Sequence, residues 1–446
     1  MSSYKGVAGD VLEPLSADIG DRIRIKKENQ VFEGLLMPRT SGESNNYLVI
    51  KLDNGYNVGI KINQNLEIEK LSEGSEPEIG KKTEKVEVDP GKPKVSIIGT
   101  GGTVASKVDY RTGAVHPAFS AEEIYNSAPE IAEIANIKTE TACNVLSENM
   151  TPELWDQIAE KIYKELNEGA KGVVVAHGTD TMGYTAAALS FMFEDLSKPI
   201  VLVGSQRSSD RPSSDAPLNM VSAVSTAVSD LGEVCVVMHG STQDEFCLIH
   251  RGTKARKCHT SRRDAFQSID QSPLGIVKDG EVRYLCDKKD RGTQEIKLKK
   301  GFEEKVVLLK VYPNMGSETI KKLIEEGYKG IVLEGTGLGH TPKSLHEGLE
   351  MAKEEEIPVG MTSQCIWGRI NMRVYSSGRD LLDLGVFSLG DMLPETAYVK
   401  MMWILDKTTD IDEVKSLMSK NLAGEKNERT EIDSFLKPKM PEEKNG

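Results

Sequence analysis

The chain has 446 residues, 38% of them hydrophobic and 28% charged, which suffices for two or three soluble domains with sizeable cores. A net charge of −13 excludes a broad phosphate-binding surface, so any nucleic acid would have to be held by a local patch or by a partner. No apolar stretch approaches the roughly 18 residues of a membrane span, the N-terminus lacks a secretory pattern, and Cys143, Cys235, Cys247, Cys258, Cys286 and Cys365 form no C-x-x-C pair or zinc-spaced cluster. These features predict a cytoplasmic protein with reduced thiols, no metal and no membrane contact.

Residues 1–75 are predicted to form a small β-barrel, because the pieces DRIRIKKE, VFEGLLMP, NYLVIKLD and YNVGIKI alternate apolar and polar residues between Gly/Asn/Ser turns. Residues 76–94 are charged, carry Pro and Gly, show no periodicity and read as a linker. Over 95–290 the pattern changes to continuous apolar runs near Val95, Val173, Ile200 and Val234, as expected of buried parallel strands, separated by helical patterns. One helix is marked by Thr151 as N-cap, Pro152 as first helical residue and Leu154, Ile158, Ile162 and Leu166 along one face. A smaller α/β domain over 302–422 contains KVVLLKVYP, a helix from about Ser317, KGIVLEGTG, IPVGMTS and a late helix around Pro394–Leu405. Residues 423–446 are predicted to be a polar, mobile tail.

Two strand ends carry chemistry. In VSIIGTGGTVAS, the turn after the strand is not a dinucleotide loop, because Val104 stands where G-x-G-x-x-G needs its last glycine, and no Gly-Lys-Ser/Thr follows to make a P-loop. What remains is a glycine-rich strand end offering Thr100 and Thr103 to the crevice above a parallel sheet, or, alternatively, Thr103 as a helix cap. The second strand end, VVVAHGTDTM, places Thr179 and Asp180 at a similar turn. A threonine hydroxyl is a poor nucleophile until a nearby base takes its proton, and a lysine held by a carboxylate can act as that base. Lys254 and Lys257 in HRGTKARKCHTSRRDAF are both candidates, and spacing does not choose between them; Arg262 and Arg263 read as a solvated basic face or an anion site.

The paired motifs TGGTVAS and HGTDTM, in this order and each at a strand end, resemble the signatures of the bacterial-type L-asparaginases and related amidohydrolases. The resemblance implies an α/β, two-domain asparaginase-like fold with parallel sheets behind the all-β barrel. It further implies Thr103 as nucleophile, Thr179, Asp180 and Lys257 as the activating relay, and Gly102 and Gly178 as turn and oxyanion glycines. Ser147 would bind substrate, as would Glu148, where the family commonly has glutamine and where a carboxylate can pair with an ammonium group directly. Tyr110 would correspond to the tyrosine of the loop after the nucleophile, and Glu334–His340 lies where the small domain lends a residue to the site.

The barrel, the linker and the segments GTKARKCHTSRRDAFQS and EGTGLGHTP are similar to those of the D-type branch, the glutaminases of archaeal glutamyl-tRNA(Gln) amidotransferases. That similarity implies glutamine as the small-molecule substrate and a GatE-type amidotransferase subunit as partner. The partner would hold the tRNA and use ATP and Mg2+ to amidate glutamate with the released ammonia, this chain carrying no cofactor of its own. It also implies a homodimer within a D2E2 heterotetramer. A free-standing cytoplasmic L-asparaginase is the alternative. The role of the barrel stays open between docking element and nucleic-acid binder, its mixed charges favouring the former.

Overall fold

The computed structural model describes residues 4–27, 30–37, 46–52, 57–63, 66–73, 89–101, 106–108, 115–117, 124, 128–207, 214–430 and 435. The N-terminal unit opens with a helix, Val7–Leu12, and continues with β1 (Arg22–Lys27), β2 (Gln30–Leu36), β3 (Tyr47–Leu52), β4 (Asn57–Lys61) and β5 (Leu66–Ser72). These make one antiparallel sheet in the order β4-β3-β2-β1-β5. The small all-β domain expected at the N-terminus is thus present as a five-stranded antiparallel sheet, in which no pairing joins β4 to β5 among the described residues. Alternation fixes its faces: Ile23 and Ile25 of β1 are buried with Leu36, Leu48, Ile50 and Ile60, and the helix covers them with Ala8 and Leu12.

The large domain is built on an eight-stranded sheet. Its members in chain order begin with β6 (Lys94–Gly99); after a short hairpin of β7 (Ser106–Val108) and β8 (Val115–Pro117) come β9 (Asn136–Thr141) and β10 (Gly172–Ala176). Then follow β11 (Phe193–Glu194), β12 (Ile200–Val203), β13 (Val234–His239), β14 (Cys247–Arg251), β15 (Ala255–Lys257), β16 (Phe266–Ser268), β17 (Gly275–Lys278) and β18 (Glu281–Tyr284). The sheet order is β18-β17-β14-β13-β12-β10-β6-β9. From β9 to β13 all pairs are parallel, and their apolar runs are buried on both faces by helices, including Pro152–Asn167 and Ala216–Val228. In the first of these, the Thr151 side chain accepts from Leu154 N at 3.3 Å, and Trp155, Ile158, Ile162 and Leu166 form the buried stripe, with Trp155 rather than Leu154 at its head.

Beyond the parallel core the sheet is mixed at one edge, where β14, β17 and β18 run antiparallel. The cause is local: β13 and β14 are joined by the short turn Gly240–Phe246, too short for the helical crossover that a parallel pair needs. The small domain has the parallel order β20-β21-β22-β23, made of Val306–Lys310, Gly330–Gly335, Val359–Ser363 and Phe387–Ser388. A two-residue strand β19 (Lys297–Leu298) pairs with β11 on the way to it. The helix Pro394–Leu405 packs on the helix Met182–Met192, so Phe191, Met192, Val399 and Trp403 belong to a single apolar core spanning both domains.

The mobile tail expected over 423–446 is corrected for its described residues up to 428. Residues 421–428 are folded onto the body, because the Glu425 carboxylate, fully buried, accepts from Lys400 Nζ at 2.5 Å and from the backbone of Leu422 and Ala423 at 3.0 and 2.7 Å. Two arginine donations, from Arg369 to the carbonyls of Asn427 and Glu428, at 2.5 and 2.7 Å, continue the clasp. Apart from Phe435, residues 431–446 lie outside the described residues. Among the described residues no helix is long and apolar enough to cross a membrane.

Candidate active site

The strand order itself locates a crevice. From β6 the chain goes to β9 on one side, whereas β10 lies on the other side of β6 and leads on to β12, so the C-terminal ends of β6 and β10 flank the point where the winding reverses. Ligands of open α/β sheets bind at such a point. Both threonine-bearing turns sit there.

At the end of β6, Thr100 does not face the crevice as its sequence position suggests. It is buried, its hydroxyl donates to the carbonyl of Ala176 at 3.1 Å, and it ties the ends of β6 and β10 together. Gly101 follows with φ +102, and a Cβ there would stand 2.4 Å from the carbonyl oxygen of Val145, so only glycine makes this turn. Gly102, Thr103 and Tyr110 lie outside the described residues.

At the end of β10 the turn is held from beneath by a directed chain of hydrogen bonds. Trp155 Nε1 donates to Thr185 Oγ1 at 3.0 Å, Thr185 is 2.9 Å from His177 Nε2, and His177 Nδ1 is 2.7 Å from the carbonyl of Gly178. A carbonyl only accepts and an indole N–H only donates, so the partners assign the imidazole proton to Nδ1 and the Thr185 proton to Nε2. Burial pushes the pKa of His177 down to about 4, which keeps the ring neutral and this polarity intact near neutral pH. His177 opens the HGTDTM motif, which assigns it no role of its own, and its position at the end of a continuous apolar strand is what accounts for its burial.

Above this anchor the structure brings three of the sequence candidates together. Lys257 Nζ donates to Thr179 Oγ1 at 2.9 Å and to Asp180 Oδ1 at 2.6 Å. The lysine side chain is 14% exposed and that of Asp180 66%, so the pair spans the mouth of the site. Ser147, on a 3-10 turn Ser147–Asn149, is packed against the same turn: its carbonyl accepts from Thr181 Oγ1 at 2.6 Å, and a Cβ on Gly178 would meet Ser147 Cβ at 2.8 Å and Oγ at 2.9 Å. Glu148, next to it, is exposed. Of the two lysines that spacing leaves open, Lys254 is fully buried and bonds Asp391 Oδ2 at 2.9 Å, away from the turn.

Lys257 reaches the turn by an unexpected route. β14 runs toward the far end of the sheet, and the segment Gly252–Lys257 returns along the helix Met182–Met192. The contact is close because Gly252 lies against Ser190 and Ala186 while Gly183 faces the carbonyl of Ala255, with a Cβ on either glycine reaching 3.0 Å or less from its neighbours. Arg256, on the other side of the strand, pairs with Glu395 at 3.2 Å. Arg262 and Arg263 are not a free basic face, since they pair with Asp264 at 2.7 Å and Asp244 at 2.8 Å. Asp244 in turn bonds the buried His239, which holds Asn219 at 2.6 Å. Nothing in Glu334–His340 bonds Thr179, Asp180 or Lys257 within this chain among the described residues; Glu334 pairs with Lys310. No group of three or more His, Cys, Asp or Glu that could hold a metal ion occurs among the described residues.

Comparisons with known proteins agree with this arrangement. Family models match in three consecutive parts: the GatD N-terminal domain over 17–71, Asparaginase, N-terminal over 94–289, and the Glutaminase/Asparaginase C-terminal domain over 305–418. The chain is 52% identical to the glutamyl-tRNA(Gln) amidotransferase D-type chain of Pyrococcus abyssi, covering 96% of this chain and 99% of that one. It is 49% identical to its counterpart from Methanobrevibacter smithii, over 97% of this chain and 100% of that one. Among solved structures it is similar to the thermostable L-asparaginase from Thermococcus kodakarensis, with a TM-score of 0.68, 32% identity and coverage of 75% of this chain and 99% of that one. L-asparaginase I from Vibrio cholerae gives a TM-score of 0.66 at 29% identity, with 75% and 99% coverage. The chain therefore belongs to the GatD family of glutamyl-tRNA(Gln) amidotransferases, with an asparaginase-type body behind its N-terminal β domain.

Proposed function

We propose that the chain is the glutaminase component of a tRNA-dependent amidotransferase. It hydrolyses glutamine to glutamate and ammonia, and a GatE-type partner uses that ammonia, with ATP and Mg2+, to convert Glu-tRNA(Gln) to Gln-tRNA(Gln). The observation that carries the reading is the Lys257–Thr179–Asp180 contact at the winding reversal of a GatD-family chain.

In the proposed reaction the Thr103 hydroxyl attacks the side-chain amide carbon of glutamine, giving a tetrahedral oxyanion. Backbone N–H groups of the glycine turns, at Gly102 and Gly178, stabilise it; one such donor is typically worth about 3 kcal/mol. The proton lost by Thr103 passes to the departing nitrogen, which leaves as ammonia, and an ester to glutamate remains. Water then attacks this ester: Lys257 in its amine form takes the water's proton through Thr179, Asp180 stabilises the ammonium so formed, and the relay returns that proton to the departing Thr103 oxygen, which releases glutamate and restores the hydroxyl. Ser147 and Glu148 hold the substrate's amino-acid end, with the exposed carboxylate facing an ammonium.

The division of labour matches the charge: at −13 the chain leaves the tRNA to the partner. A homodimer of this chain flanked by two partner subunits is the assembly proposed. Because free hydrolysis wastes glutamine, the isolated chain is expected to be slow and to accelerate when the partner, tRNA and ATP are present.

Co-purification with the partner followed by ammonia assays tests the reading. Thr103→Ala should abolish glutamine-dependent amidation while leaving amidation by free ammonium salts intact, and loss of both would refute the division of labour. Release of ammonia from asparagine by the chain alone would instead favour the free-standing asparaginase that the solved neighbours suggest.

A further inference from the structure

Besides the pairing of β15 with β16, the segment that carries Lys257 is fastened by contacts at Thr253, Lys254 and Arg256, and none of these belongs to the relay. The Thr253 carbonyl accepts from Thr396 Oγ1 at 2.8 Å, and the Thr253 hydroxyl donates to the carbonyl of Ala423 at 3.1 Å. Lys254 Nζ donates to both the carboxylate and the carbonyl of Asp391, at 2.9 and 3.0 Å. Arg256 reaches Glu395 at 3.2 Å. Every one of these partners lies in the small domain or in the C-terminal clasp.

Asp391 is the common post. Besides Lys254 it accepts from Asn427 N at 3.1 Å, Asn427 Nδ2 at 2.8 Å and Arg369 at 3.4 Å, and its side chain is only 3% exposed. Asn427 also donates to the carbonyl of Asp270, just beyond β16, the strand that pairs with β15. A buried ion pair is poor evidence for a stabilising role, because its desolvation cost rivals its Coulombic gain. Burial pushes Lys254 below the usual ammonium range, in keeping with that cost. The pair does, however, fix direction: two hydrogen bonds from one ammonium to one residue define where the backbone of Lys254 stands, three residues before the relay amine.

We infer, resting on the role given to Lys257 above, that Lys254 and Asp391 are a positioning pair. Through them the small domain and the clasp Asn421–Glu428 set where the Lys257 amine meets Thr179. Lys254 does not touch substrate. Its effect is on the rate of the relay and not on glutamine binding, since Ser147 and Glu148 stand on a different element.

The test uses the full chain co-purified with its amidotransferase partner and supplied with glutamylated tRNA, measuring ammonia from glutamine. Asp391→Asn alone strands a buried ammonium and lowers the melting temperature, so the deciding variant is the neutral double Lys254→Met/Asp391→Asn. That double keeps an acceptor for Asn427, and neutral replacements of buried pairs are often tolerated by the fold. Positioning predicts a melting temperature restored toward the wild type together with a kcat about tenfold or more lower at unchanged KM, the scale expected of a misplaced catalytic group. If kcat returns with the melting temperature, the pair is only structural and the inference is overturned. Should the double variant fold poorly, Asn427→Ala gives the same discrimination: a several-fold drop in kcat at constant KM supports the inference, and an unchanged kcat overturns it. A wild-type complex that releases no ammonia from glutamine overturns the functional reading and this inference with it, whereas an active wild type with an equally active double variant overturns the inference alone.

Discussion

Replacing Thr185 with valine isolates the chain of hydrogen bonds under the Thr179 turn. Valine keeps the shape of the fully buried threonine but neither donates to His177 Nε2 nor accepts from Trp155 Nε1, which lie 2.9 and 3.0 Å from the threonine hydroxyl. Each stranded polar atom costs about 1–3 kcal/mol when buried, so the change should destabilise the domain by roughly 2–6 kcal/mol. For a domain of this size that corresponds to a fall in melting temperature on the order of 5–20 °C. Thr185→Ser, which retains the hydroxyl, is the control and should lose only the smaller share due to a methyl group. Thermal unfolding followed by circular dichroism measures the difference. Glutamine turnover should fall in the valine variant as well, because His177 no longer has a fixed orientation from which to hold the Gly178 carbonyl. Equal melting temperatures for the two variants would refute the hydrogen-bond assignment. A fall in melting temperature with normal turnover would refute the claim that the chain orients the turn.

Burial holds both His177 and His250 down to about 4, so each stays neutral in the folded chain while the unfolded chain takes up a proton near 6.5. Stability is then full above about pH 6.5, declines as pH falls from there by up to roughly 1.4 kcal/mol per pH unit per histidine, and levels below about 4. Denaturant titrations across this window should show a shallower slope in His250→Gln than in the wild type; identical slopes would remove His250 from the account. Gly178→Ala places a methyl 2.8 Å from Ser147 Cβ, which should push the substrate-side turn aside and raise KM for glutamine, at a cost in stability of about 1–3 kcal/mol. An unchanged KM would mean that Ser147 lies outside the binding surface.

Much of the α/β body is legible in the sequence because its signals are local. Continuous apolar runs mark β6, β10, β12 and β13, and a cap followed by proline marks the start of the helix Pro152–Asn167. The antiparallel edge is not legible, since a strand buried on both faces has the same composition whichever way it runs. Thr100 reads as facing the crevice because the sequence does not say which of two threonines in a turn bonds the neighbouring strand. Lys254 and Lys257 have similar neighbours in sequence, and what separates them is Asp391, 137 residues further along from Lys254. The fold of residues 421–428 is hidden for the same reason: a segment that looks polar is held by a carboxylate whose partner, Lys400, sits among apolar neighbours in the helix Pro394–Leu405.

The glycine-lined seam between Gly252–Lys257 and the helix Met182–Met192 has a consequence for control. The helix begins just after Thr179 and Asp180, and the strand ends at Lys257, so both halves of the relay are parts of one rigid slab. A slab of this kind cannot be switched by pulling its own pieces apart without opening the core shared by the two domains. Control of the site therefore has to act from outside the slab, on what is brought to the relay, because the relay itself is locked in place by the shared core.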